Sequence, residues 1–449
     1  PHLYQRIDVE YAVAGLAAGG AYLGWEPGLG KTLGACMAAD ASDCNFILAV
    51  CPNSAKHRTW APAVKLMPWL GEPLVIGNSK AARERALAEA AERMDAGTPT
   101  LVICHYEALG LVDWAPLGVL DLIIFDEAHR LKNPKAGFVK AATKIPACGR
   151  LMLSGSVLDG DIEDLFVPWK AMRPSRYRRR WADWNDRFVD YAEGDFGKIS
   201  LGARPHRIPE LREELGELLT VRRAADELDI PAAHTERVSL ALLPVQRRAY
   251  DSLVEDLFAE LPDGDIITAQ QGAGLISKLR GVTGGVPLPD EGYASSKLDY
   301  IEELLDLKGA ALGVGGRPLQ SVVFFWHKEP ANRLAARLGP LAAVVHGDVP
   351  NKLREERVEA FAQGQVRVLI ATFATLSESV NLQMAGRVIL GEHSWKPLHN
   401  DQAIDRVVRQ GQTAHASVVH VTAADTVDEL RVLPVIKSKT MLRQLVLGR

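Results

Sequence analysis

The chain has 449 residues, 47% of them hydrophobic and 24% charged, with a formal net charge of −4. Those values exclude a disordered chain and a fibrous repeat, and the length suits two or three domains, each burying its own core. Whole-chain charge does not advertise nucleic acid, so any basic groups that meet one must be gathered locally in a cleft.

Taken from the N-terminus, a short apolar run ends at Trp25 and leads into Glu26–Thr32 (EPGLGKT), then into a helix-forming stretch from Leu33. Strand-like runs follow at Phe46–Cys51, Thr100–Cys104, Leu120–Phe125 and Arg150–Ser154, with a helix predicted over Ala81–Met94. Strands alternating with helices predict an open parallel sheet of the α/β class. Residues 159–238 are rich in Arg, Trp and acidic side chains and predict a mainly helical insertion and linker. Within it Asp229–His234 is the expected hinge, because its proline disfavours helix. A second alternating block has strands at Ser321–Phe325, Ala342–His346, Val366–Ala371, Arg387–Leu390 and Ser417–Val421. The expected organisation is a first lobe over 1–158, the insertion over 159–238, and a second lobe over 239–449 that includes a helical insertion near 245–310.

The five cysteines (Cys36, Cys44, Cys51, Cys104, Cys148) contain no CxxC pair and predict buried free thiols in a reducing compartment, not a metal cluster. The uncharged stretch Ala12–Trp25 is too short and glycine-rich to cross a bilayer and lacks the features of a signal peptide. No membrane association and a cytoplasmic location are expected.

Two strings carry the chemistry. In the first, Gly28 and Gly30 let the backbone turn tightly and aim its N–H groups at phosphate oxygens, and the following helix adds its positive dipole end. Lys31 would reach the β- and γ-phosphates and the Thr32 hydroxyl would ligate Mg²⁺. Trp25 stands where the strict pattern has glycine. In the second, the apolar run Leu122–Phe125 ends in Asp126-Glu127-Ala128-His129. Carboxylates at a strand's C-terminal end sit where open α/β sheets bind ligands. Asp126 would hold Mg²⁺, and Glu127 would orient or deprotonate the attacking water. Acidic residues also terminate strands without further purpose, but that reading leaves the phosphate loop upstream unexplained. Together the strings predict a nucleotide hydrolase.

Asp126–His129 followed by Arg130-Leu131-Lys132-Asn133 resembles helicase superfamily two, and within it the Swi/Snf-like branch. The resemblance spans nearly the whole chain and implies two RecA-like lobes. Leu3-Tyr4-Gln5 resembles the family's adenine-reading motif, with Gln5 as the base contact. Val50–Ser54 with Trp60 resembles its first DNA-contacting motif, and His105-Tyr106-Glu107 the next. Leu151–Ser156 resembles the motif that couples ATP state to DNA grip, through Ser154, Gly155 and Ser156. Arg222-Arg223 is similar to a paired arginine that precedes the second lobe. The most specific match is Trp395-Lys396-Pro397 followed by Gln402-Ala403-Ile404-Asp405-Arg406-Val407-Val408-Arg409-Gln410-Gly411-Gln412. The resemblance further implies ATP contacts at His129 and Gln402 and a DNA track that includes Ser54, Tyr106, Asn381 and Trp395.

Arg406 and Arg409 are three apart and would share one face of a helix. The spacing leaves open a pair of arginine fingers, a solvated basic face, or a pair bridged to Asp401 and Asp405; the resemblance implies the fingers. The chain departs from the family at Val157, Asp159 and Gly160, where a proline and later an asparagine are usual. Leu376-Ser377-Glu378-Ser379 replaces a glycine-rich stretch before Asn381, and Lys396 stands where asparagine is common.

Two further stretches are basic. Arg173–Trp184 interleaves five arginines with Tyr177, Trp181 and Trp184. It suits phosphates and bases, or equally a helix whose tryptophans pack down while its arginines face water. Lys132, Lys135, Lys140 and Lys144 read as salt-bridged surface. The expected function is a DNA-stimulated ATPase that moves along double-stranded DNA by lobe closure. The alternatives are a helicase that separates strands or remodels branched DNA, and a non-catalytic nucleic-acid-binding subunit. A minimal motor of bacterial or phage type, working with targeting protein partners, is expected; chromatin remodelling is not carried over.

Overall fold

The computed structural model describes residues 1–174, 180–194, 197–216, 218–229, 231–259, 269–288, 292–305, 319–375, 382–409 and 416–447. The chain divides into two compact units, one of residues 1–228 with 441–449 and one of residues 229–440.

In the first unit the strands are β1 (Ala21–Trp25), β2 (Phe46–Cys51), β3 (Leu74–Val75), β4 (Thr100–His105), β5 (Leu120–Asp126), β6 (Ala147–Leu153), β7 (Val189–Gly194), β8 (Gly197–Ala203) and β9 (Leu219–Arg222). Among the described residues seven of them form one sheet in the order β3-β4-β2-β5-β6-β1-β9, every neighbouring pair parallel. A parallel sheet needs helices on both faces, so its strands read as continuous apolar runs. Successive residues of those runs enter opposite cores. Leu48, Val50, Ile123 and Phe125 pack on one side, and Ile47, Ala49, Leu122 and Ile124 on the other.

The second unit holds β10 (His234–Leu240), β11 (Val286–Pro287), β12 (Tyr293–Ala294), β13 (Ser321–Phe325), β14 (Ala342–Val345), β15 (Val368–Thr372), β16 (Arg387–Leu390) and β17 (Ser417–Ala423). Six of these form a second parallel sheet, ordered β10-β17-β16-β13-β15-β14. Its faces divide in the same way, with Val322, Phe324 and Val388 on one and Val323, Phe325 and Ile389 on the other. Both units therefore carry the RecA-like α/β layout.

The segment 159–238 is less helical than its composition predicts. It contains the antiparallel pair β7–β8, and it ends by giving β9 to the first sheet and β10 to the second. Of the Arg173–Trp184 stretch, Arg176, Tyr177, Arg178 and Arg179 lie outside the described residues. The rest fits the packed reading: Trp184 is buried against Phe166 and Phe188, while Arg180 is exposed beside Asp183. Four cysteines are buried, and burial pushes the Cys36, Cys44 and Cys104 thiols up to about 12. Cys148 corrects the expectation of uniform burial, because it is exposed near the start of β6. Among the described residues no helix is long and apolar enough to cross a membrane.

Candidate functional site

The residues singled out in the first unit come from the C-terminal ends of β1, β2, β4, β5 and β6, the edge at which open parallel sheets bind ligands. Beyond β1, the loop Glu26–Gly30 turns through positive φ at Gly28 (89°) and Gly30 (78°), a region costly for other residues. A Cβ at Gly30 would also lie 2.7 Å from the Gln5 amide nitrogen. The helix Lys31–Ala41 then begins with no side-chain cap and no acidic residue in its first turn, which leaves its dipole to an incoming anion.

The loop is fastened to the N-terminal helix Leu3–Ala17. Tyr4 Oη and Gln5 Nε2 both donate to the Leu29 carbonyl, at 2.8 and 3.0 Å, and Gln5 Oε1 accepts from His2 N at 2.8 Å. Gln5, the expected base contact, is thus 3% exposed with both ends of its amide engaged within the chain. Lys31 Nζ donates to the Trp25 carbonyl at 3.1 Å.

At the end of β5, Asp126 is held from several directions. Its Oδ2 accepts from Trp60 Nε1 at 2.9 Å and its Oδ1 from Glu127 N at 3.1 Å. The Tyr106 hydroxyl donates to its carbonyl at 2.7 Å. Burial raises the Tyr106 pKa well above the ordinary tyrosine value, which keeps that hydroxyl a donor. Glu127 adopts φ 53°, ψ 52°, uncommon for a side chain of its size and a frequent mark of functional turns.

These contacts correct two expectations. Trp60 and Tyr106 are both 0% exposed, so they brace the acidic box from beneath and present no surface to DNA. Ser54, at the end of β2, is exposed.

Between β5 and β1 in the sheet runs β6, and the residues after it connect the two. His129 Nδ1 lies 3.0 Å from Ser154 Oγ and 3.3 Å from Glu127 Oε2, and Ser156 N donates to Ser154 Oγ at 3.0 Å. Ser154 and Ser156 are buried. The unusual Asp159 also has an occupation: Lys132 Nζ reaches its carboxylate at 3.3 Å and that of Asp164 at 3.2 Å. Burial raises the Asp164 pKa, although Lys132 pulls the other way.

In the second unit the helix Pro397–Asp405 carries Gln402 and stops before the two arginines. Arg406 is its C-cap, and its carbonyl accepts from Leu382 N at 3.0 Å; Arg409 lies in the bend beyond. Beyond Asp405 the hydrogen bonding turns irregular: Val407 N and Val408 N both donate to the Ile404 carbonyl, at 3.0 and 2.9 Å. Trp395 is partly exposed, with the Arg280 guanidinium 5.4 Å from its ring centre and 5.5 Å from that of Trp326. Asn381, Gln410, Gly411 and Gln412 lie outside the described residues, as does the stretch 376–379.

The sequence reading missed the polar framework behind Trp395. Glu392 is 2% exposed and accepts from the N–H groups of Trp326 and His327 at 2.9 and 2.8 Å. Burial works to raise its pKa, but the His327 side chain hydrogen-bonded to it prevails and brings it to about 2. Buried Lys297 and Asp428 pair at 2.5 Å, and His393 stacks on His420 with ring nitrogens 3.0 Å apart. No local pattern marks them in the sequence: Lys297 stands in Ser-Lys-Leu-Asp-Tyr-Ile (296–301), where polar and apolar residues are mixed.

Two RecA-like sheets, the first with a glycine loop, an acidic box and the serine-bearing segment after β6 at neighbouring strand ends, define a helicase-type core. The SNF2-related domain model matches residues 4–281 and the helicase conserved C-terminal domain model residues 296–411. The chain belongs to the SNF2-related family, the Swi/Snf branch of helicase superfamily two, whose members hydrolyse ATP.

Among curated relatives, the SWI/SNF-related matrix-associated actin-dependent regulator of chromatin subfamily A-like protein 1 of Xenopus tropicalis is 27% identical over 97% of this chain and 44% of its own length. The DNA excision repair protein ERCC-6-like of Bos taurus is 23% identical over 91% of this chain and 38% of its own. The chain spans less than half the length of these relatives. A Sulfolobus solfataricus SWI2/SNF2 ATPase core solved in complex with dsDNA aligns with all of this chain and 93% of its own, at 20% identity and a TM-score of 0.44.

Proposed function

We propose that the chain hydrolyses ATP at the strand ends of its first lobe and uses the turnover to move along double-stranded DNA. The observation that carries the reading is the polar bridge His129–Ser154, which ties the acidic box on β5 to the segment leaving β6, beside the strand that bears the phosphate loop. Lys31 binds the β- and γ-phosphates together with the loop N–H groups. Gln5 contributes the adenine contact by exchanging one of its bonds within the chain, to Leu29 or to His2, for the base.

The oxygen donors here are of the kind that magnesium takes. Thr32 lies in the first turn of the helix after the loop, and the carboxylate of Asp126, a residue 9% exposed, is fixed by Trp60. These two would hold Mg²⁺, which supplies charge neutralisation of the phosphate oxygens. Glu127 orients the attacking water and accepts its proton. Arg406 and Arg409 stabilise charge that develops on the γ-phosphoryl oxygens, with Gln402 and His129 as polar contacts to the nucleotide. Ser154, Gly155 and Ser156 pass the change to the DNA side, where Ser54, Asn381 and Trp395 contact the duplex. Targeting partners would choose the DNA on which the motor works.

Displacement of a triplex-forming strand, measured beside unwinding of a forked duplex, tests the reading. ATP-dependent triplex displacement without unwinding is expected, and both Lys31→Ala and Glu127→Gln should abolish it. Unwinding of the fork would favour the strand-separating alternative. Displacement that survives both substitutions would sink the assignment.

A further inference from the structure

The side chains that secure the mouth of the phosphate loop are not those its motif names. Trp25, at the end of β1, is fully buried, and its Nε1 donates to Asp8 Oδ2 at 2.8 Å. Asp8 lies on the N-terminal helix and is 2% exposed. Both of its oxygens also accept from Arg222 at the end of β9: Nε donates to Oδ2 at 3.0 Å and Nη2 to Oδ1 at 2.6 Å. Arg222 Nη1 donates to Glu227 Oε1 at 3.0 Å.

Two further bonds fasten the same places. Glu26 N donates to the Arg222 carbonyl at 3.0 Å, and Ala224 N donates to Glu26 Oε2 at 2.8 Å. The first residues of the loop are thus bound repeatedly to 222–227, and the first unit gives way to the second after Leu228.

The indole is also wedged against the loop's own helix. A Cβ at Gly34 would meet a Trp25 ring carbon at 2.7 Å, and the Tyr4 ring stands edge-on to Trp25 with centroids 5.5 Å apart. Charge-assisted, two-pronged bonds of the Asp8–Arg222 kind fix direction as well as distance, and burial strengthens them. Lys31, the residue that must meet phosphate, has the Trp25 carbonyl as its acceptor. Redirecting the ammonium to a phosphate therefore acts on the very peptide that the network holds.

We infer that Asp8, Trp25 and Arg222 form a positioning relay for ATP. They hold the loop in the register that Lys31 needs, and they carry its movement into 222–228, the segment through which the chain leaves the first unit. This rests on the reading of the loop as an ATP site. It also accounts for tryptophan at position 25: the position is used for an indole donor and a packed ring, where glycine would supply neither.

The test uses the full chain with steady-state ATP kinetics, thermal unfolding, and hydrogen exchange of 219–228 with and without the imido analogue of ATP. Trp25→Phe keeps the ring and removes the donor; Arg222→Lys keeps the charge and removes the two-pronged grip. Each should raise KM for ATP about tenfold with a much smaller change in kcat. In the parent chain the analogue should slow exchange in 219–228, and both variants should lose that protection while remaining fully folded at the assay temperature, as thermal unfolding checks. Asp8→Asn should do the same if it folds; the other two substitutions carry the test if it does not. A parent chain that hydrolyses ATP beside Trp25→Phe and Arg222→Lys with the same KM and the same analogue-dependent protection overturns the relay alone. A parent chain whose ATP turnover matches that of Lys31→Ala removes the ATP reading and the relay with it.

Discussion

At the strand ends of the first sheet, buried polar side chains serve motif residues: Trp60 and Tyr106 hold Asp126, Ser154 meets His129, and Asp8 holds Trp25. At those of the second sheet the buried polar groups serve one another. Glu392 takes His327 and two backbone N–H groups, Lys297 takes Asp428, and the Arg280 guanidinium lies over Trp326 and Trp395. The contrast separates two uses of buried polarity. On the function proposed above, it positions chemistry in the first unit, whereas in the second it specifies a fold. Substitutions in the first should lower turnover as well as stability, and those in the second stability alone.

The largest stability effect is expected at the buried pair of the second unit. Asp428 also accepts from Thr283 Oγ1 and Ala423 N, at 3.3 Å each, so Lys297→Met strands an acceptor-rich carboxylate. Removing one partner of such a pair costs about 3–5 kcal/mol, whereas replacing both with apolar residues is far milder. Denaturant unfolding of Lys297→Met and of the double variant Lys297→Met/Asp428→Leu measures both; equal losses would break the contrast. In the first unit Tyr106→Phe removes the donor to the Asp126 carbonyl and should cost about 1–3 kcal/mol.

Trp60→Phe removes a buried donor and some core volume, so it too costs stability, but it should in addition lower ATP turnover about tenfold, roughly 1.4 kcal/mol, through loss of the bond that orients Asp126. If it acts on stability and not on turnover, the two units do not differ as argued. The smallest effect at neutral pH belongs to the stacked histidines. Burial holds His393 well below the ordinary histidine pKa, and burial, aided by Arg237, brings His420 down to about 4. The unfolded chain then binds more protons than the folded one below the ordinary value of 6.5, so stability is full above that pH and falls as pH drops toward 4. Unfolding midpoints between pH 7 and 4 should decline in the parent chain and decline less in His420→Gln.

The parts legible in the sequence were those written in local runs. Phe46–Cys51, Ser321–Phe325 and Arg387–Leu390 are strands at the residues expected, because each is apolar on both faces and fits only a covered parallel sheet. β10 escaped because it is an edge strand whose His-Thr-Glu-Arg start is exposed, so no apolar pattern betrays it. β9 is only Leu-Thr-Val-Arg, half-buried and embedded in a charged stretch.

At the site, Lys31, Asp126 and Glu127 were readable as types at a spacing, and the structure places them on β1 and β5 ends flanking β6. What holds them was not readable. Trp60 and Tyr106 stand 66 and 20 residues before Asp126 and belong to strings that resemble DNA-contacting motifs; only burial shows which way they serve. The Arg406–Arg409 spacing implies a shared face only while the helix lasts, and here helical bonding turns irregular after Asp405.

The measurement that bears most directly on the account is ATP turnover by the parent chain and by Glu127→Gln, each with and without duplex DNA. The account predicts turnover that rises several-fold with duplex in the parent and falls at least about 100-fold in Glu127→Gln under both conditions. Turnover that ignores duplex and is the same in Glu127→Gln would contradict it.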